Sequence, residues 1–414
     1  MNNSRKNKYL WIIGGGEMQA PVIYEARKLG LLTIISDVNP DCVCAKLCDL
    51  FVPIDIFDID SHIEKCKQLI ASGINIIGVL AAGIDAPETM ARLNLHLGLL
   101  GVNSEIAKLV HEKGQFRKKL EELKIPVPKF STISANQIQE LEVISDEIGY
   151  PLIIKNTDSS GSRGTQIFYT KNLPALKEAA HQAIAVSKSK IALMESFWEG
   201  PEQTVESIFD IDGQFHPCFI TDRIFDKSAG YALETGLNHP SQLSETIQKE
   251  MFQIAEDVAR KLGIKVGAAK YDFILTSNGP RIIEMTVRLS GGFDCQYIVP
   301  AATGKNIIKA AILTAIGEKF PKSLLENTIH KVVISRSIWP DPGIISSIPG
   351  LDEARRIKGV EKIIMRSALG DMIDGYIDCT KRTCFIIISA NTFDEAESIY
   401  ANVKNTLLIT TTKK

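Results

Sequence analysis

Four short, continuously apolar runs separated by helical or loop segments dominate the first hundred residues. Leu10-Trp11-Ile12-Ile13 leads into Gly14-Gly15-Gly16, and Met18, Val22, Ile23, Ala26 and Leu29 follow at helical spacing. Pro21 suits the first turn of that helix, where its missing N–H is not needed. Leu32 to Ser36, Phe51 to Ile54 and Ile74 to Leu80 read as further strands, with a helix over Ser61 to Ala71 between the last two. Strands that do not alternate apolar with polar residues are buried on both faces. The pattern therefore predicts a parallel, doubly wound sheet.

From about residue 104 the pattern changes. Ser104 to Leu123 is mostly helical and is stopped by Ile125-Pro126-Val127-Pro128. Ser134 with Gln137 forms a capping-box signature for a helix running towards Ile148. A strand ending at Lys155, a Ser/Gly loop over 159–164, a strand at 166–169, a helix and a strand at 191–195 make a small α+β lobe. Residues 200–330 hold several strands, a helix near 244–262 and another near 306–316. The last stretch carries strands near 331–337, 361–367, 374–379 and 384–389, then a helix with Thr392 and Glu395 as capping box. The expected domains are 1–110, 111–330 with a small lobe at about 126–195, and 331–414.

At 414 residues the chain is too long for one compact core. With 47 basic and 49 acidic residues, its net charge of −2 gives no bulk attraction to nucleic acid. The apolar run Tyr9 to Ile13 is too short for a membrane span or a signal-peptide core. Cys42, Cys44 and Cys48 lack CxxC spacing and a second ligand pair, so they read as packed thiols of a cytoplasmic protein.

Four segments can carry chemistry. The Gly14–Gly16 turn suits an anion at a helix N-terminus. Gln19 stands where a dinucleotide fingerprint needs its third glycine, so a nicotinamide site with Asp37 on the ribose is the minor reading beside a plain tight turn. The loop Asp158 to Thr165 can wrap a polyphosphate with backbone N–H groups, hydroxyls and the Arg163 guanidinium, or can be a hairpin turn. Lys155, on an otherwise apolar strand, needs a partner.

The third segment, Met194 to Glu202, presents a carboxylate, an apolar and aromatic stretch and a second carboxylate. It can line a flat heterocycle or form a solvated acidic turn. In the fourth, strands 271–275 and 281–287 joined at Ser277-Asn278-Gly279 bring Asp272 beside Glu284. Adjacent carboxylates on apolar strands repel unless a cation joins them, and hard oxygen ligands select Mg2+. Arg288 follows two strand steps beyond Glu284, suited to a transferring phosphoryl group or to a structural salt bridge.

In this order the pieces resemble the ATP-grasp superfamily of carboxylate–amine (or thiol) ligases, over nearly the whole chain. The opening Ile12-Ile13-Gly14-Gly15-Gly16-Glu17-Met18 is similar to the biotin carboxylase and purine-ribonucleotide branch. Pro342-Gly343, Ile348 to Ala354, Gly359-Val360 and Gly370-Asp371 resemble the closing domain of the L-amino acid ligases. The resemblance implies an N-terminal Rossmann-like domain, a two-lobed ATP-binding domain and a small C-terminal α/β domain. It also implies an ADP-forming ligase using ATP with Mg2+ or Mn2+.

By the same resemblance, Lys113 and Lys155 hold the ATP phosphates and Ser159, Ser160, Gly161, Ser162, Arg163 and Gly164 form the loop closing over them. Glu195 and the backbone of Ser196, Phe197 and Trp198 receive adenine, and Glu202 receives the ribose. Asp272 and Glu284 hold metal, and Arg288 stabilises phosphoryl transfer. Glu234-Thr235-Gly236 resembles a substrate-side segment of the amino acid ligases, with Leu237 where they carry His; His239 is expected to be structural. The family's Glu-x-Asn reads Glu284-Met285-Thr286, and a Thr hydroxyl is a poorer ligand for a second Mg2+. The implied substrates are a small-molecule carboxylate and amine, most simply amino acids, with a phosphoribosylglycinamide synthetase-like or aminoimidazole ribonucleotide carboxylase-like enzyme as alternative. A non-catalytic nucleotide-binding protein is a third reading. One copy of the unit argues against a complete carbamoyl-phosphate synthase, and family habit suggests a homodimer through the first domain.

Overall fold

The computed structural model describes residues 7–158, 161–228, 230–376 and 378–413. Strands Lys8–Ile13, Leu32–Ser36, Leu50–Val52 and Asn75–Ala81 form a parallel sheet, with Lys8–Ile13 between Leu32–Ser36 and Asn75–Ala81. Successive side chains of a strand point to opposite faces. Leu10 and Ile12 accordingly pack with Val22, Ile23 and Ala26 of helix Ala20–Lys28, while Trp11 and Ile13 pack with Cys66 and Leu69 of helix Ile59–Ala71. Burial on both sides is why this strand reads as a continuous apolar run.

The glycine turn after it is already occupied by its own chain. Gly15 N donates to Asp37 Oδ2 at 2.8 Å and Gly16 N donates to Gln19 Oε1 at 2.8 Å. Asp37 therefore braces the turn rather than standing free for a ribose, and the tight-turn reading is the one realised. Gly15 is required for space: a Cβ there would lie 2.3 Å from Cys42 Sγ. The eight cysteines are free thiols, and Cys44 is fully buried.

The single helical run expected over Ser104 to Leu123 is two helices, Ser104–His111 and Lys113–Glu122. Glu112 takes extended backbone angles, and its carboxylate caps the second helix by accepting from Gly114 N (3.1 Å) and Gln115 N (2.7 Å). That break makes Lys113 the first residue of a helix. The Ser134–Gln137 capping box is formed, but it opens a 3-10 segment, Ala135–Glu140, before the helix Leu141–Ile148.

The small lobe is an antiparallel sheet in the order Phe130–Ser134, Ile191–Ser196, Leu152–Asn156, Gln166–Phe168, covered by helices Leu141–Ile148 and Leu173–Val186. The large sheet has eight antiparallel strands in the order Gly279–Thr286, Gly267–Thr276, Glu202–Phe209, Phe215–Asp226, Leu233–His239, Val332–Arg336, Cys384–Ala390, Val360–Met365. Its last three strands lie beyond residue 330, so the sheet crosses the boundary drawn there from the sequence.

The strand expected near 374–379 is not formed by the described residues of that span. Instead Met372–Ile373 pairs with Gly343–Ser347, which pairs in turn with Thr410–Thr412. Gly375, at φ +131°, interrupts extension, and Cys379–Lys381 is a 3-10 turn. Among the described residues no helix is long and apolar enough to cross a membrane. The result is a mixed α/β architecture, with a parallel layer, a small antiparallel lobe and a large antiparallel sheet, as the sequence leads one to expect.

Candidate active site

Register in the large sheet assembles the site. Thr204, Asp272 and Glu284 stand opposite one another in one row. Glu202 faces Arg223 one step to one side, and Glu206, Lys270 and Thr286 form a row one step to the other. Residues two apart on a strand share a face, so these side chains leave the sheet together. The hairpin pairing of Asp272 with Glu284 is the one expected from the sequence.

The small lobe faces this surface across a cavity of about 120 Å3 lined by Lys113, Lys155, Gly161, Ser162, Glu195, Ser196, Phe197, Trp198, Glu202, Asp272 and Glu284, among others. A second, more polar chamber of about 180 Å3 shares Lys113, Gly161, Ser162, Arg223, Asp272 and Glu284 with it. That chamber extends to Asp85, Glu234, Lys270, Thr286, Arg288 and Cys379. Ser159 and Ser160 lie outside the described residues. Arg163 and Gly164 line neither chamber; the Arg163 carbonyl accepts from the Asn156 side chain, and Gly164 holds φ +60° against the backbone of Ala183.

Side-chain cations balance the paired carboxylates. Lys270 Nζ lies 2.5 Å from Asp272 Oδ2, Arg223 Nη1 lies 3.0 Å from Asp272 Oδ1, and Lys113 Nζ lies 3.2 Å from Glu284 Oε1. Burial acts to raise the Glu284 pKa, but Lys113, Lys270 and Lys155 hold it well below the usual carboxylate range. Glu284 is therefore ionised, and together with Asp272 it sets hard carboxylate oxygens on the wall of both chambers, which fits Mg2+. Among the described residues no three His, Cys, Asp or Glu side chains are grouped to hold a metal. The protein thus offers two carboxylates, the number expected where phosphate oxygens and water complete the shell.

Glu195, expected on the adenine side, lines the cavity, and its side chain is held by the surrounding cations. Its carboxylate is 2% exposed and lies 2.5 Å from both Arg117 Nε and Lys155 Nζ, so it is committed to two cations. Burial alone would raise its pKa, yet Arg117 and Lys155 hold it below the ordinary value. Arg117, with no exposed surface, also donates to Ile283 O at 2.7 Å. This ties the Lys113 helix to both the hinge and the hairpin. Ser196, Phe197 and Trp198 still line the cavity, although Ser196 N and Phe197 N already donate to Lys129 O and Pro151 O, both at 2.8 Å.

Glu202 is similarly paired, with Lys227 Nζ at 2.7 Å. Glu234 receives Arg223 Nε at 2.8 Å and Arg382 Nη2 at 3.2 Å, which hold it ionised against its burial. Arg288 pairs with Asp85 at 3.1 Å rather than with the hairpin acids. His239 is buried against Ile220 O, away from these two chambers.

Sequence reasoning missed Arg117, Arg223, Lys270, Asp85 and Arg382. Lys270 carried the same signal as Asp272, a charge in the apolar strand Gly267–Thr276. The other four lie in segments whose local pattern does not mark them.

The model of the carbamoyl-phosphate synthase L chain ATP binding domain matches residues 112–323, more than half of the chain, and that of the L-amino acid ligase C-terminal domain 2 matches residues 336–412. A carbamoyl phosphate synthase large chain of Kocuria rhizophila is 27% identical over 301 residues, covering 70% of this chain but only 26% of its own length. The L-amino acid ligase of Bacillus licheniformis has a similar structure, with a TM-score of 0.81 and 22% identity over 99% of this chain and 100% of that one. Phosphoribosylglycinamide synthetase of Anaerococcus prevotii gives a TM-score of 0.74 and 21% identity over 98% and 100%. The chain belongs to the ATP-grasp family described by the carbamoyl-phosphate synthase L chain ATP binding domain, and it has the fold of the carboxylate–amine ligases.

Proposed function

We propose that this chain is an ATP-dependent, ADP-forming ligase that activates a carboxylate as an acyl phosphate and joins it to an amine, with amino acids as substrates. The observation that carries the reading is that the opposed pair Asp272 and Glu284 lines one cavity together with Lys113, which lies 3.2 Å from Glu284, and Lys155. A carboxylate is a poor electrophile until phosphorylated, and phosphoryl transfer needs charge neutralisation and alignment more than covalent help. Lys113 and Lys155 would grip the phosphates, with Glu195 and Arg117 fixing Lys155 in place. The Ser196–Trp198 backbone would hold adenine, and Glu202 the ribose hydroxyls once Lys227 turns to phosphate.

Asp272 and Glu284 would hold Mg2+ or Mn2+, which when bound neutralises phosphate charge. Arg288 would meet the transferred group in the second chamber. The loop at Gly161 and Ser162 would shield the acyl phosphate from water, where it would otherwise hydrolyse. The second chamber presents Arg223, Lys270 and Arg288 together with Asp85 and Glu234. Mixed charge of this kind suits a small zwitterion, whereas the phosphate of a ribonucleotide would meet the two acids. The eight free thiols support a reducing, cytoplasmic setting.

The test is an ADP-release screen across amino acid pairs and ribonucleotide amines. Turnover with an amino acid pair is expected. Turnover confined to a ribonucleotide amine would move the assignment to the purine-type alternative, and nucleotide binding without turnover on any substrate would favour the non-catalytic one.

A further inference from the structure

Lys270 lies opposite Thr286 on one side and Glu206 on the other, in the row next to Asp272 and Glu284. Its Nζ is 2.5 Å from Asp272 Oδ2, its one ion-pair partner among the described residues. The side chain is only 16% exposed and borders the second chamber beside Thr286 and Arg288. Arg223, the other cation on Asp272, differs: Glu234 and Glu202 can take it if it leaves Oδ1.

We propose that Lys270 sets the metal stoichiometry of this site at one divalent ion per chain, its ammonium standing where a second ion would have to bind. The inference rests on the ATP-binding reading above.

A Mg2+ ion demands a near-octahedral set of oxygens. On the Lys270 side of Asp272 phosphate oxygens and water could complete such a set, but the ammonium takes the carboxylate oxygen that would anchor it. Asp272 Oδ2 is taken by the ammonium, and Thr286 offers a single hydroxyl. Glu206 has no exposed surface and turns Oε2 to Ser290 N at 2.9 Å. A fixed ammonium in so sheltered a place also repels an incoming cation. On the other side, Arg223 can pass from Asp272 Oδ1 to Glu234 and Glu202, and Lys113 can turn from Glu284 to phosphate, which frees Asp272 Oδ1 and Glu284 to share one ion with phosphate oxygens. Lys270 then supplies the positive charge that faces the substrate side of the transferring group, without needing to be recruited from solution.

The test is equilibrium dialysis of the full chain with Mn2+ and the non-hydrolysable ATP analogue AMP-PNP, the bound Mn2+ being counted by electron paramagnetic resonance. One equivalent per chain is expected for the native protein, for Lys270→Arg and for Thr286→Asn, and two for Lys270→Met. Two equivalents in the native protein would overturn the proposal whether or not any variant folds. So would one equivalent in Lys270→Met, or a second ion gained by Thr286→Asn alone, which would make the hydroxyl and not the ammonium the limit. Absence of any AMP-PNP-dependent Mn2+ in all four proteins would instead overturn the nucleotide-site reading, and this inference with it.

Discussion

Arg288 and Asp85, 203 residues apart in sequence, meet at 3.1 Å at the junction of the parallel layer and the large sheet. The contact is part of a seam: Ala82 and Leu289 form a parallel bridge, and Gly83 N donates to Leu289 O at 3.1 Å. The parallel layer thus holds the guanidinium that is proposed above to meet the transferred phosphoryl group. Asp85→Asn keeps the shape but loses the charge, so kcat should fall by about 10–100-fold through misalignment. KM for ATP should be unchanged, because Asp85 does not border the nucleotide cavity. Steady-state ADP release over a range of ATP concentrations checks both; an equal loss in KM would show that Asp85 acts on nucleotide binding instead.

Glu284→Gln should lower ADP release by about 100-fold or more, since the neutral amide holds a divalent ion more weakly than a carboxylate and does not balance Lys113. The Glu284 side chain is 38% exposed to the cavity, so the fold should survive. Circular dichroism alongside the assay separates the two effects, and unchanged turnover in the folded variant would remove Glu284 from the site.

The Arg117–Glu195 pair should be structural as well as functional. Glu195→Gln leaves the fully buried Arg117 and the nearby Lys155 without a counter-charge, which should cost about 3–5 kcal/mol of stability. Arg117→Met combined with Glu195→Leu removes both charges and should recover part of that loss. Urea unfolding midpoints of the single and double variants provide the comparison.

Gly15→Ala should destabilise by about 1–3 kcal/mol, because its Cβ would overlap Cys42 Sγ. Adding Cys42→Gly should restore most of the loss by vacating that space. A thermal melt that shows no rescue would mean that the strain lies in the backbone rather than in the contact.

Burial raises the Glu206 carboxyl from 4.5 to about 7. Below pH 4.5 folded and unfolded chains both hold that proton. Between 4.5 and 7 only the folded chain keeps it, so stability falls as pH rises, and above 7 the penalty is constant. The full effect is on the order of 3 kcal/mol, at about 1.4 kcal/mol for each tenfold in proton affinity. Glu206→Gln, which still accepts from Ser290 N, should therefore stabilise the protein at pH 8 and change little at pH 4.5. Melting temperatures at the two pH values check the sign.

Local spacing determined a good part of this molecule. Leu10 to Ile13 had to be a doubly buried strand because its side chains find apolar helices on both faces. The two-residue hairpin turn fixes the register from Thr276–Gly279 to Phe273–Ile282 and by itself would set Asp272 opposite Ile283; a bulge at that point brings Glu284 there instead. Lys155 had to find an anion because a lone ammonium on an apolar strand is costly. Which anion it found, and what braces Arg288 or Glu234, depended on the tertiary structure. Arg117 reaches Glu195 across 78 residues, and Arg382 reaches Glu234 across 148. Such partners are chosen by how separately folded layers stack, and charge attracts through space without leaving a period in the chain. The sequence by itself therefore determined the elements and the hairpin that carries both acids, through the short-range geometry of strands and turns. Only the packed structure decided how each buried charge is neutralised, because that depends on distances between segments that no local pattern encodes.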